Sequence, residues 1–328
     1  MRRLTFDEIA AVACGCETVR QTEGAVQFHR LPDALAAHYR HDAGSRIRLE
    51  CTSGVRLRFA TTTRRIRIGL RYGDAARPFY RGELTVDGRA AGVFGPDEPA
   101  EASEDALSIL ADERPARVEV WLPHLVRTDL LFLDVDEGAD VTPSAPRGRR
   151  WLALGDSITQ GMTAPLPTQT WVAQTATALG LDVRNYGIGG GKLEDFLADA
   201  ELGWPYDLLT IAYGANDFNV GRPPEQVGAN AARLLARQAA AHPGAMLVLI
   251  TPLPWAGRSE PNPIACSLQD YREALTDASD ARPSCFLIDG TSLVPDDTRY
   301  FVDNVHPNAE GMMLFARNFA AALRSILA

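Results

Sequence analysis

Trp151-Leu152-Ala153-Leu154-Gly155-Asp156-Ser157-Ile158-Thr159-Gln160-Gly161 decides how the second half of the chain is read. Four apolar residues stop at a glycine, and the Asp and Ser that follow are residue types that favour the opening of a helix. A buried strand running straight into a helix fits this pattern. The same alternation continues downstream. Residues 151–154, 182–185, 208–213, 246–251 and 286–289 read as short apolar strands, while 168–179, 224–242 and 268–280 have helical length and spacing. From Ala309 onward, Met312, Phe315, Ala316, Phe319, Leu323 and Leu327 fall on one face of an amphipathic closing helix. Strand-helix alternation of this kind implies an α/β fold with a doubly wound parallel sheet, whose ligands bind beyond the carboxyl ends of the strands.

The first part of the chain has a different period. Arg46-Ile47-Arg48-Leu49-Glu50, Val55-Arg56-Leu57-Arg58-Phe59 and Arg65-Ile66-Arg67-Ile68-Gly69-Leu70 alternate polar and apolar residues, which predicts half-buried strands. Asp87-Gly88, after Glu83-Leu84-Thr85-Val86, is a hairpin signal, since glycine tolerates positive φ. Residues 118–122 and 130–135 add further strands, so an antiparallel β-sandwich is expected. Between Ala139 and Arg150 the composition turns to Asp, Thr, Pro, Ser, Gly and Arg, with Pro143 and Pro146 interrupting regular pairing. The expected division is therefore 1–145 for the sandwich and 146–328 for the α/β domain.

The 328 residues carry a net charge of −9, which offers no concentrated positive field for a phosphate backbone or an anionic bilayer. Arg64-Arg65-Ile66-Arg67 and Arg147-Gly148-Arg149-Arg150 read as a solvated strand face and a linker, so no nucleic-acid partner is expected. No apolar run approaches the roughly 20 residues of a membrane span. Arg2-Arg3 is followed by Asp7 and Glu8 where a signal peptide needs an apolar core. The five scattered cysteines are odd in number and suit reduced thiols, so a cytoplasmic location is expected. Cys14-Gly15-Cys16 and His38-Tyr39-Arg40-His41 lack the second half of a tetrahedral metal site, and no metal is expected.

Four blocks fall where the parallel-sheet rule places a site: Gly155-Asp156-Ser157-Ile158-Thr159-Gln160-Gly161, Asn185-Tyr186-Gly187-Ile188-Gly189-Gly190-Gly191, Gly214-Ala215-Asn216-Asp217 and Asp303-Asn304-Val305-His306-Pro307. A serine hydroxyl is a poor nucleophile at neutral pH and needs a base within hydrogen-bond reach, itself oriented by a third group. His306 is the only histidine in the blocks, and Asp303 can turn its carboxylate to the ring nitrogen facing away from Ser157. Taken singly, each block has a plainer reading: Ser157 as a helix cap, Asn216-Asp217 as a turn, Pro307 as the start of a helix.

In this order and spacing, the blocks resemble the GDSL, or SGNH, hydrolase superfamily. The resemblance implies a three-layer α/β/α fold, ester hydrolysis through Ser157, His306 and Asp303, and an oxyanion hole made of the Ser157 backbone N–H, the Gly190 backbone N–H and the Asn216 side-chain amide. Gly191 stands where the pattern usually has an aspartate or similar polar residue, which leaves the choice among Gly189, Gly190 and Gly191 less fixed, and Ile158 replaces the usual leucine. No G-x-S-x-G elbow surrounds Ser157, which argues against the ordinary α/β-hydrolase fold. Some carbohydrate acetylesterases of the superfamily resemble the two-domain layout, which implies a jelly-roll-like sandwich ahead of the catalytic domain. The expected function is therefore hydrolysis of short acyl esters, acetyl first, on a carbohydrate or other small molecule, with no cofactor. Trp255 and Arg258, after the fourth strand, are candidate substrate contacts beside the reading of an ordinary exposed loop. A lipid or thioester hydrolase, an acyltransferase and a non-catalytic glycan-binding protein are the alternatives. Substrate binding, roofing of the cleft and homo-oligomer formation are all open to the first domain.

Overall fold

The computed structural model describes the chain except residues 112–114, 146, 147, 259, 283 and 328, and the side chain of Leu327 is also outside the described residues. Two compact units emerge, and neither is contiguous. One comprises Met1–Pro32, Arg40–Pro146 and Pro165–Thr168; the other comprises Asp33–Tyr39, Arg147–Ala164 and Gln169–Ala328. The expected boundary at 145/146 adjoins residues 146 and 147, which are outside the described residues.

The first unit is built from two antiparallel sheets of six strands. In one, Thr18–Thr22, Ala25–His29, Val126–Val135, Arg65–Ala75 and Ala102–Ser108 lie in that order, with Arg2–Arg3 also paired to Val126–Val135. In the other the order is Val141–Pro143, Arg56–Thr61, Ala116–Trp121, Gly82–Val86 and Arg89–Phe94, with Ala13–Cys14 also paired to Arg56–Thr61. Ile66, Ile68, Leu70, Leu130 and Leu133 from the first sheet join Leu57, Phe59, Leu84, Val118 and Val120 from the second in one apolar core. The period-two alternation has the physical effect expected of it here, placing every second residue in a shared interior. Asp87 and Gly88 adopt φ of 51° and 81°, the doubly left-handed geometry of a two-residue hairpin turn.

Two expectations fail in this unit. Residues 46–50 are not a strand but part of the helix Ala43–Glu50, whose first turn is capped by Asp42 accepting from the Ser45 N–H. Five alternating residues carry too little period to separate strand from helix, and a capping aspartate four residues upstream outweighs them. The strand Arg56–Thr61 is not half-exposed. Arg56 and Arg58 are buried. Arg56 stacks its guanidinium 4.7 Å from the Trp121 ring, donates to the Gly54 carbonyl at 3.1 Å and lies 3.9 Å from the Glu119 carboxylate. Glu83, also buried, accepts from the Thr168 N–H at 3.0 Å and from its hydroxyl. Basic residues on alternate positions signal a solvated face only where no acids and carbonyls oppose them.

The second unit holds five parallel strands, Arg150–Gly155, Asp182–Gly187, Leu208–Ala212, Met246–Ile250 and Cys285–Ile288. Counted along the chain, they lie in the order second, first, third, fourth, fifth. On one face Trp151, Ala153, Leu208, Val248 and Ile250 pack against the helices Trp171–Leu179 and Ala309–Leu327, with the Trp171 ring stacked 4.2 Å from Phe315. Leu152, Leu154, Leu209, Ile211, Leu247 and Leu249 point to the opposite face and are equally buried. The helices Pro224–Ala241 and Leu268–Asp280 complete the three-layer arrangement. Helix starts follow the sequence: Thr170 accepts from Ala173 N–H, and Ser267 and Asp270 form a reciprocal capping box. The helix Asp33–Tyr39 belongs to this unit, with His38 stacked 4.3 Å from the Phe196 ring and Tyr39 edge-on to it. The strand order reverses between the first and third strands, which makes their carboxyl ends the switch point where an open α/β sheet binds its ligand.

Candidate active site

Ser157 opens the four-residue helix Ser157–Gln160 directly after the first strand. Asp156 caps it, its Oδ1 accepting from the Ile158 N–H at 2.9 Å. A helix this tight to the strand end demands glycine nearby: a Cβ on Gly155 would lie 2.2 Å from Thr159 Oγ1, and one on Gly187 only 2.3 Å from Gln160 N. The hydroxyl is 2.8 Å from His306 Nε2. On the far side of the ring, His306 Nδ1 lies 2.8 Å and 3.0 Å from the two Asp303 carboxylate oxygens.

The loop carrying Asp303 and His306 is a tight return. Phe301 and Pro307 form an isolated antiparallel bridge, the Val302 N–H donates to the His306 carbonyl at 2.9 Å, and Asn304 takes a left-handed φ of 66°. Asp303 Oδ1 accepts from the His306 backbone N–H at 2.9 Å and from Val305 N–H at 3.3 Å. Partial burial pushes the Asp303 carboxyl up, but the His306 backbone N–H, the imidazole and the Val305 N–H together hold it below the ordinary aspartate value. It is therefore ionised at neutral pH and can fix one tautomer of the ring.

The second strand ends in the loop that carries the three glycines. Gly189 N–H donates to Gln160 Oε1 at 2.7 Å, and Gly191 N–H donates to the Ile188 carbonyl at 2.9 Å. Gly190 N–H has no acceptor among the described residues. Its φ is 78° and no atom lies within 4 Å of where a Cβ would stand, so conformation rather than crowding requires glycine there. Ser157 N–H likewise has no acceptor among the described residues, as befits the first residue of a helix. Asn216 stands in the helix Ala215–Val220, and its amide donates to the Gly191 carbonyl at 3.0 Å and reaches Asp156 Oδ2 at 3.5 Å. The amide thus touches both neighbouring blocks, with its second N–H held only weakly.

Some supports carried no legible signal. Asn185 bridges the Thr159 carbonyl and the Gly187 N–H, at 2.7 Å and 2.8 Å. Asp217, fully buried, accepts from Leu193 N–H at 3.2 Å and pairs with Arg222 at 3.1 Å. Burial pushes Asp217 up to about 6 against those two partners. Asp156 is pushed up to about 7 by burial, with the nearby Asp217 charge adding to it against the Ile158 N–H. Only the tertiary fold, which brings two carboxyls together under one roof, makes these shifts.

The loop after the fourth strand is pinned by Arg272, which donates to the Pro252 and Leu253 carbonyls at 3.0 Å and 2.9 Å. Ala256 N–H then donates to the Asn304 carbonyl at 2.8 Å, fastening this loop to the Asp303–His306 return. Trp255 lies edge-on to Phe218 of the helix Ala215–Val220, and Arg258 caps both rings. All seven residues named from the sequence thus sit on loops or helix starts that follow the strands' carboxyl ends, or on the return before the last helix.

By sequence, no curated protein matches this chain. Among solved structures, the fold is shared from end to end with the salicylyl-acyltransferase SsfX3 from a tetracycline biosynthetic pathway (TM-score 0.85, 24% identity, 98% of this chain and 97% of that one). A candidate GDSL-like lipase from Bacteroides ovatus is similar at a TM-score of 0.80 and 19% identity, over 98% and 96% of the two chains. A family two carbohydrate esterase from Cellvibrio japonicus is similar at 0.67 and 16% identity, over 97% and 96%. The profile of the GDSL-like lipase/acylhydrolase family matches residues 153–314, the stretch that holds every block described above, and this part of the chain belongs to that family.

Proposed function

We propose that the protein is a serine esterase that releases short acyl groups, acetyl first, from a carbohydrate or other small alcohol. The carrying observation is the unbroken hydrogen-bonded series from Ser157 Oγ through His306 to Asp303, at 2.8 Å on each side of the ring. In this reading Ser157 Oγ attacks the ester carbonyl while His306 Nε2 takes its proton. The carbonyl oxygen becomes an oxyanion received by the uncommitted N–H groups of Ser157 and Gly190, and by Asn216 once its weak 3.5 Å contact to Asp156 is exchanged for the substrate. His306 returns the proton to the leaving alcohol, and an acyl-Ser157 ester remains. Water, deprotonated by His306, releases the acid by the same route. No step calls on a cofactor.

Residues 146–328 carry this chemistry and the sandwich serves it as an accessory. The carbohydrate side of the proposal rests on the likeness of layout to the Cellvibrio esterase, a warrant of fold alone. Hydrolysis of p-nitrophenyl acetate, butyrate and octanoate, with an acetylated sugar as a further substrate, tests it. Turnover strongest on acetate and extending to the sugar is the expected result; a preference for octanoate would replace it with lipid hydrolysis. A second reading, acyl transfer to an alcohol, uses the same residues and draws on the likeness to SsfX3. Adding acceptor alcohols to the assay and measuring the partition between free acid and new ester separates the two.

A further inference from the structure

Arg258 is a cation placed without a carboxylate. It closes a turn in which its own N–H donates to the Trp255 carbonyl at 3.0 Å and Gly257 takes a φ of 71°. Its guanidinium carbon then rests 4.5 Å from the Trp255 ring centre and 5.1 Å from that of Phe218. No acid lies within ion-pair distance of it among the described residues, in a chain with 42 acidic side chains against 33 basic ones. The acids of the two neighbouring segments are committed elsewhere: Asp217 to Arg222 and Leu193, Asp303 to His306.

Its position is fixed from two sides. Phe218 lies two residues beyond Asn216 on the same helix, and Ala256, two residues before Arg258, is bonded to Asn304 within the Asp303–His306 return. The loop that carries Arg258 is thus fastened to the segment of the candidate base, and the guanidinium rests on the helix that carries the candidate oxyanion amide. The two rings are inclined at 67° to each other, and since neither contact is a hydrogen bond, the N–H fork of the guanidinium can still grip a carboxylate with two parallel hydrogen bonds.

We infer that Arg258 recognises a carboxylate on the ester substrate, which makes anionic esters the preferred class. This rests on the esterase reading above. The carboxylate has two sources, a dicarboxylic half-ester on the acyl side or an acylated uronic acid on the alcohol side. Trp255 and Phe218 hold the arginine ready, so little side-chain freedom is lost on binding.

The test compares charged esters with neutral partners of matched size: p-nitrophenyl hemisuccinate against p-nitrophenyl butyrate, and an acetylated methyl glucuronoside against its methyl ester. The unmodified enzyme is expected to favour the charged member of at least one pair by about 10- to 100-fold in kcat/KM, the range of one charge-assisted contact. The pair that shows the preference identifies the side. Arg258→Ala and Arg258→Gln should bring that ratio to about 1, mainly through KM, and Arg258→Lys should restore it only in part. Equal rates on charged and neutral partners, or a preference that survives both Arg258→Ala and Arg258→Gln, would overturn the inference. Loss of all Ser157-dependent turnover on every ester would instead overturn the esterase reading.

Discussion

A set of polar groups inside the sandwich and another at the strand ends of the parallel-sheet unit are used in opposite ways. Those inside the sandwich are spent within the protein. Asp129 accepts from Gln27, Arg71 and Arg127, and Arg30, 1% exposed, donates to the carbonyls of Cys51 and Arg48. At the strand ends of the other unit, among the described residues, the backbone N–H groups of Ser157 and Gly190 have no acceptor and Arg258 has no carboxylate within ion-pair distance. Satisfied groups hold a fold together, while unsatisfied ones at a concave end are available to something outside the chain.

The sharpest way to break this contrast is at His306. Replacement by alanine should cost about 10⁴-fold or more in kcat on an activated ester and leave the melting temperature nearly unchanged. A large loss of stability instead would mean that the residue is structural. Asn216→Ala comes next, with an expected loss of about 10²–10³ in kcat and little change in KM; kinetics on p-nitrophenyl acetate read this directly. If its bond to Gly191 mattered only for loop structure, stability would fall and kcat would not.

A change in the sandwich should have the reverse signature. Arg30→Met leaves the Cys51 and Arg48 carbonyls without their donor and should cost about 2–4 kcal/mol in urea unfolding, with the activity per folded molecule retained. The smallest effect concerns pH. Asp156 and Asp217 titrate near 7 and 6 in the folded chain against an ordinary 3.8. The folded state therefore binds more protons than the unfolded one in that window. The stability this contributes is complete below about pH 4 and is lost as pH rises through 6 and 7. Melting curves at pH 5 and pH 8 should show the decline, and Asp156→Asn, which keeps the helix cap, should flatten it.

How much was legible follows from where the information sits. The catalytic blocks are local: Asp303 and His306 are three residues apart, and Ser157 is marked by its own strand and glycines. Their meeting required only the order of five strands. Helical length and spacing likewise marked the helix Leu268–Asp280, and one apolar face the helix Ala309–Leu327. The failures came where the deciding partner is distant in sequence. Nothing near Arg56 announces Glu119 or Trp121 across the sheet, and five residues around Arg48 could not outvote Asp42. The helix Asp33–Tyr39 groups with the parallel-sheet unit, where His38 and Tyr39 meet Phe196, more than a hundred residues away. The engagement of Gly189 and Gly191 N–H, which singles out Gly190, is a fact of three dimensions that no run of three glycines can express.

Hydrolysis by this route requires that Ser157 becomes acylated. The most direct measurement is acid quenching of the protein during turnover of p-nitrophenyl acetate, followed by peptide mass spectrometry, in parallel with Ser157→Ala. An acetyl group is expected on the Ser157 peptide of the unmodified protein, with neither adduct nor turnover in the variant. Ester hydrolysis that persists at the unmodified rate after Ser157→Ala would contradict this route.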